Sequence, residues 1–161
     1  MIRAVRPLLV ALLAVTLSAC SSAQPSAFSL TGASVDPTHW CPGGSNNAPY
    51  DLHAMIDARN GTASAVTVES VAASMTLKAV TGTWLEKVAD RYDADKVQFS
   101  PSAVAAGTTA KISLTFSSAC TSGQYSAGTS SQGDYMVTMH VTTSAGQYSI
   151  TASNRHSILA A

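Results

Sequence analysis

The sequence predicts an all-β domain, a two-sheet antiparallel sandwich of seven strands. Three observations predict it. Beyond the first twenty residues Thr, Val, Ser and Ala dominate the chain. Short runs alternate apolar and polar side chains at period two, and Gly, Pro, Asn and Ser clusters separate them. Outside the N-terminal leader, no window repeats its apolar residues at the 3.6-residue period of a helix.

The first strand covers Phe28 to Val35. The second, Tyr50 to Ala58, turns Tyr50, Leu52, Ala54, Ile56 and Ala58 to one face and Asp51, His53, Met55 and Asp57 to the other. Asn60-Gly61 supplies a turn. The third strand, Ala65 to Val80, changes register. Val66 and Val68 are even-numbered, whereas Val71, Ala73, Met75 and Leu77 are odd, which predicts a bulge near Glu69-Ser70. A short fourth strand, Lys96 to Ser100, points Val97 and Phe99 inward and stops at Pro101. Gly107 turns the chain into a fifth, which sets Ala110, Ile112, Leu114 and Phe116 against Lys111, Ser113 and Thr115. The last two, Asp134 to Thr143 and Gln147 to Ser153, form a hairpin through Ser144-Ala145-Gly146.

The first twenty residues tell where the domain belongs. Arg3 and Arg6 precede an apolar stretch from Leu8 to Leu17, and Leu17-Ser18-Ala19-Cys20 follows. The stretch has the length of a signal-peptide core and falls short of the roughly twenty residues a spanning helix needs. It resembles the bacterial lipobox. That resemblance implies cleavage before Cys20, acylation of Cys20, and anchoring on the extracytoplasmic side of the cell membrane or outer membrane. Two or more acyl chains hold stably, at about 0.8 kcal/mol per buried methylene. The division expected is a leader over 1–19, a lipidated tether over 20–27 and one sandwich domain over 28–161. Losing Arg3 and Arg6 leaves seven basic residues against nine acidic ones. No basic stripe remains to attract nucleic acid.

Gly133-Asp134-Tyr135-Met136-Val137 resembles the tyrosine corner of immunoglobulin-like and fibronectin-type-III-like domains. The resemblance implies a seven-stranded immunoglobulin-like antiparallel β-sandwich, with the Tyr135 ring inside and its hydroxyl on nearby backbone. The antibody-type bridge between sheets is absent, because neither Cys41 nor Cys120 lies on the second or sixth strand. In this topology the second and fifth strands are antiparallel neighbours. Cys41 and Cys120 then flank the same end, and a disulfide between them suits an exported domain. The same topology gathers the three longest connections, Asp36 to Pro49, Thr81 to Asp95 and Ser117 to Gly133, at one pole. The tether leaves from the other.

No catalytic constellation is visible: the chain has two glutamates and four histidines, and no GxSxG, HExxH or phosphate-binding glycine loop. Neither enzyme activity nor a cofactor is expected. Asp90, Asp93 and Asp95 bring three carboxylates into one segment, but the spacing of a calcium loop is missing, and a solvated polar loop is the preferred reading. Met136 and His140 are weak copper candidates. Alternation sends both outward while Met139 follows Tyr135 and Val137 inward, so no metal site is assigned. Trp40, Trp84, Tyr92 and Tyr125 lie in or near the long connections, where aromatic rings stack on sugars or grip proteins. For Trp84 a role in covering the core is preferred, and for Trp40 both readings stand. The expected function is a non-enzymatic, lipid-anchored module that presents its loop-rich pole to a protein or polysaccharide partner of the envelope. The alternative is a carrier of copper, calcium or a small glycan.

Overall fold

The computed structural model describes residues 27–42, 47–94, 96–120 and 131–160. Eleven strand segments follow in order: β1 (Phe28–Val35), β2 (Thr38–Trp40), β3 (Pro49–Asn60), β4 (Val66–Thr81), β5 (Arg91–Ala94), β6 (Val97–Ser100), β7 (Ala103–Val104), β8 (Thr109–Ala119), β9 (Ser131–Thr143), β10 (Gly146–Thr151) and β11 (His156–Ala160). One sheet runs β1-β3-β8-β6 and the other β2-β11-β9-β4-β5, with β10 paired to β9 and β7 to β4. The chain is an all-β immunoglobulin-like sandwich. Cys20 and the expected leader and tether up to Ser26 lie outside the described residues.

Alternation builds the core. Leu52, Ala54, Ile56 and Ala58 of β3 face Val71, Ala73, Met75 and Leu77 of β4 and Val137, Met139 and Val141 of β9 across the sandwich, all buried. Ile112, Leu114 and Phe116 of β8 complete it. Each large side chain fully buried this way is worth about 1.5–3 kcal/mol. The register of β4 against β9 shifts between Val68 and Ser70, where the parity of the apolar residues requires it. A second shift, between Leu77 and Ala79, carries no such signal. Asn60 closes the β3–β4 turn from a fully buried position. Its amide donates to the Ser64 and Val104 carbonyls, and its Oδ1 accepts from the Thr62 backbone and hydroxyl.

Four segments go beyond the seven strands expected. Strand β2 leaves the first sheet after Pro37 and runs parallel to β11 in the second. Strand β11 continues the sheet where β10 stops, so β9 is paired with β10 along Thr138–Thr143 and with β11 along Ser131–Tyr135. The final expected strand therefore ends at Thr151, not Ser153, and the chain re-enters the sheet at His156. Asn154 bridges the break by accepting from the Val35 N–H and donating to the Val35 carbonyl. The two-residue β7 pairs with Val66-Thr67, and its Val104 is fully buried. Strand β5 occupies most of the segment expected as a polar loop. Arg91, Tyr92 and Asp93 are exposed edge residues, and edge strands tolerate charge because their outer face meets water.

The two poles differ. Phe28 pairs with Asn60, and the Gly61 N–H donates to the Ala27 carbonyl, so the chain enters beside the β3–β4 turn. At the other pole Pro49 pairs with Ala119 and Val80 with Gly133. There the Cys41–Cys120 disulfide forms, with the Cys41 N–H donating to the Leu159 carbonyl and the Asn47 N–H to that of Cys120.

Candidate functional site

Among the described residues the exposed large hydrophobic side chains are Trp40 (66%), Leu85 (64%), Val88 (58%) and Tyr92 (41%). All four belong to the β1–β3 and β4–β6 segments, which meet at the disulfide-tied pole. Within that end Trp40 lies on the β2 edge of the sheet, and Leu85, Val88 and Tyr92 lie toward the β5 edge.

A cavity of about 200 Å³ opens between the sheets at this pole. Met75 and Ile158, both buried, form its floor, and Tyr92, Tyr135, Ser118 and Glu86 line it. The local sequence explains the placement. Tyr135 sits at an inward position of β9 and reaches the mouth because β9 starts beneath the β4–β5 connection. Gly133 permits that connection to pack closely: a Cβ there would lie 2.6 Å from the Trp84 ring. Trp84 Nε1–H then donates to the Tyr135 hydroxyl at 3.0 Å, and that hydroxyl donates to the Glu86 carboxylate. The resemblance to a tyrosine corner implied a hydroxyl held by backbone. The ring is buried as expected, but its hydroxyl is engaged by two side chains of the β4–β5 connection. Tyr92 completes the rim, its hydroxyl donating to the Ser117 carbonyl at 3.1 Å.

A histidine–tyrosine chain stands beside the cavity. His156 is buried, with Nδ1 2.6 Å from the Asp36 carbonyl and Nε2 2.7 Å from the Tyr50 hydroxyl. A carbonyl only accepts, so Nδ1 carries the proton and Nε2 accepts from Tyr50. His39 stacks on Tyr50 with ring centroids 3.6 Å apart. The Asp36 carboxylate accepts from the backbone N–H of His53 and lies 2.9 Å from His53 Nδ1. Burial pushes Tyr50 up to about 12, against a hydrogen bond with Ser118 and helped by the charges of Asp36 and Glu86. Burial also lowers His156 and His39, so the neutral forms are favoured.

The structure brings Tyr92 to the cavity rim and packs the partly buried Trp84 against the core behind it. Trp40 projects from β2 into solvent. Tyr125 and Asp95 lie outside the described residues. Asp90 accepts from the Lys87 N–H at 2.8 Å and Asp93 pairs with Arg91 at 2.6 Å. Met136 and His140 sit on the outer side of β9 opposite Thr76 and Ala72, while Met139 is buried. Among the described residues no three His, Cys, Asp or Glu side chains converge as metal ligands. Sequence reasoning missed Glu86, Tyr50, His39 and His156. The inward parity of Tyr50 was visible, but its partner His156 lies on a strand the pattern did not disclose.

No protein-family model matches the chain, and no curated protein matches it. Among solved structures it is similar to AggA, the major subunit of aggregative adherence fimbriae type I from Escherichia coli, at 9% identity and a TM-score of 0.38, covering 83% of this chain and 95% of that one. It is similar to the PapD-like domain 7 of human CEP192 at 14% identity and a TM-score of 0.29, covering 96% of each chain. It is also similar to the CooA pilin subunit from enterotoxigenic Escherichia coli at 11% identity and a TM-score of 0.26, covering 81% and 98%. Likeness at this level carries no weight for function, and the sandwich stands on its own strand pairing.

Proposed function

We propose that this chain is a lipid-anchored, extracytoplasmic binding module without catalytic activity. Cys20 carries the lipid, Ser21 to Ala27 is the tether, and the sandwich presents its disulfide-tied pole to a protein or polymer of the cell envelope. One observation supports the reading above all. Trp40, Leu85, Val88 and Tyr92 gather at the pole opposite Ala27, where the chain leaves toward its anchor. A surface facing away from the membrane is where a partner is met.

Two arms test it in the full-length protein. An alkynyl fatty acid fed to the producing cells labels the wild type and not Cys20→Ala; an unlabelled wild type refutes the anchor. In the Cys20→Ala background, which removes the lipid that would itself hold the protein on membranes, the purified protein co-sediments with isolated envelopes. The added triple change Trp40→Ser, Leu85→Ser, Val88→Ser abolishes that binding while each substitution shifts the unfolding free energy by about 0.5 kcal/mol or less, as surface changes do. Unchanged binding in the triple variant refutes the pole as the contact surface.

A further inference from the structure

The cavity at this pole contains a carboxylate that nothing else in the described structure neutralises. Among the described residues the ion pairs are His53–Asp36, Arg91–Asp93 and Lys111–Asp57. Glu86 enters none of them. The hollow beside Thr31, Asp57 and Lys111 is larger, about 320 Å³, but its carboxylate is already bonded to Lys111 at 2.8 Å. The hollow of about 270 Å³ along His140, Gln147 and Ser149 has no carboxylate or ammonium among its lining residues. Of these three hollows, only this one holds a carboxylate outside every ion pair among the described residues, so Glu86 offers a ligand of opposite charge an unanswered partner.

We propose that this cavity receives the ammonium end of a lysine side chain presented by a protein partner. Glu86 is the counter-ion, and Tyr92 and Tyr135 form the aromatic walls. The proposal rests on the reading of the pole as a binding face and deepens it.

Three features select that ligand. The volume, about 200 Å³, lies below the 300–1,000 Å³ of pockets for drug-sized ligands and suits one inserted side chain. The lining joins apolar Met75 and Ile158 to tyrosine rings, which accommodate an alkyl stem and attract a cation at its tip. The third feature separates lysine from arginine. Tyr135 occupies Oε2 of Glu86, leaving Oε1 for an incoming donor. A guanidinium fork gains most from two free carboxylate oxygens, whereas an ammonium is a point charge satisfied by one. Exposed Leu85 and Val88, which flank Glu86 in the chain, offer apolar surface next to the anchor, which favours a folded partner over a free amine.

Trp84 provides the readout, because its Nε1–H donates to the hydroxyl that holds Glu86. The chain has two tryptophans, so Trp40→Phe in the full-length protein leaves Trp84 as the only one. Its emission is titrated with Nα-acetyl-lysine methylamide, with the arginine counterpart, and with the norleucine counterpart that lacks the ammonium. The expected result is a saturable millimolar response to the lysine probe, at least tenfold weaker with arginine and absent with norleucine. Glu86→Gln, which keeps an acceptor for Tyr135, weakens lysine binding at least tenfold. Tyr92→Ala, at an exposed edge position, weakens it several-fold and serves if Glu86→Gln does not fold. No saturation with lysine, an equal response to norleucine, or unchanged affinity in both variants overturns the proposal. Envelope binding that depends on the apolar residues alongside a silent lysine titration refutes this inference and leaves the pole as the contact surface. Glu86-dependent lysine binding in a protein whose envelope binding ignores the apolar residues refutes the protein partner.

Discussion

At the scale of single residues, His156 is a buried ring with both nitrogens engaged. It donates from Nδ1 to the Asp36 carbonyl and accepts at Nε2 from Tyr50, so a second ring proton would place a charge in a buried site and force the Tyr50 hydroxyl to turn from donor to acceptor. Burial pushes its pKa below 6.5, opposed by the Asp36 carbonyl and carboxylate and reinforced by His39. Unfolded, the ring takes its proton near pH 6.5; folded, it takes it only at lower pH. Between those two values the unfolded chain binds more protons, so stability rises with pH through that window. The contribution is intact above 6.5, declines as pH falls below it, and levels off beneath the folded value. Thermal unfolding between pH 7.5 and 5 is expected to show the decline. His156→Phe removes most of that slope while lowering stability at pH 7.5 by roughly 1–3 kcal/mol, because Asp36 and Tyr50 lose a buried partner. A slope unchanged in the variant assigns the acid sensitivity to other groups.

At the scale of elements, the parity of apolar residues determines most of the sandwich. The β4 bulge was legible because Val66 and Val68 cannot share a face with Val71 and Ala73 unless a residue is inserted between them. Strand β11 was not legible. Its inward set is His156, Ile158 and Ala160, in which a histidine occupies an apolar position and an alanine gives little contrast. Strand β11 is nevertheless structural. Ile158 is buried and lines the cavity, as Met75 does, whereas Leu159 is only partly covered. Ile158→Ala is expected to cost about 2–5 kcal/mol in urea unfolding, with Leu159→Ala below about 1 kcal/mol. Similar costs at the two positions refute the inward assignment of Ile158. Strand β5 was hidden differently. Its charges resemble those of a loop, and only its pairing with Ala73–Thr76 identifies it as an edge.

At the scale of the whole molecule, the disulfide organises the pole that carries the site. Cys41 and Cys120 stand 79 residues apart and join the β2–β3 connection to the end of β8, beside the cavity. Closing a loop of that length in the unfolded chain is worth roughly 4–5 kcal/mol by the chain-entropy estimate. Cys41→Ala with Cys120→Ala is therefore expected to lower the unfolding free energy by several kcal/mol, measured by urea titration against the oxidised wild type. A loss under about 1 kcal/mol refutes a large cross-link contribution. The far pole, around Asn60 and Gly146, lies away from the bridge and is expected to retain its amide protection longest in the double variant.

The sequence by itself determined the local alternation, the turns and the bulge, because the period of two and the φ demands of Gly and Asn act within a few residues. The resemblance to a lipobox rests on the same kind of local pattern, since charge, apolar length and cysteine stand in one short run. The sequence also indicated the cysteine pair and the pole on which the long connections meet, once two strands were taken as neighbours. Only the tertiary structure decided that Glu86, Tyr92 and Tyr135 share one cavity and that Tyr50, His156 and Asp36 share one hydrogen-bond chain. Those residues are separated by 43 or more positions in at least one pair of each set, and β2 meets β11 by parallel pairing that no hairpin turn announces. Local physics records what a residue tolerates. Its partner across the sandwich is chosen when the two sheets close.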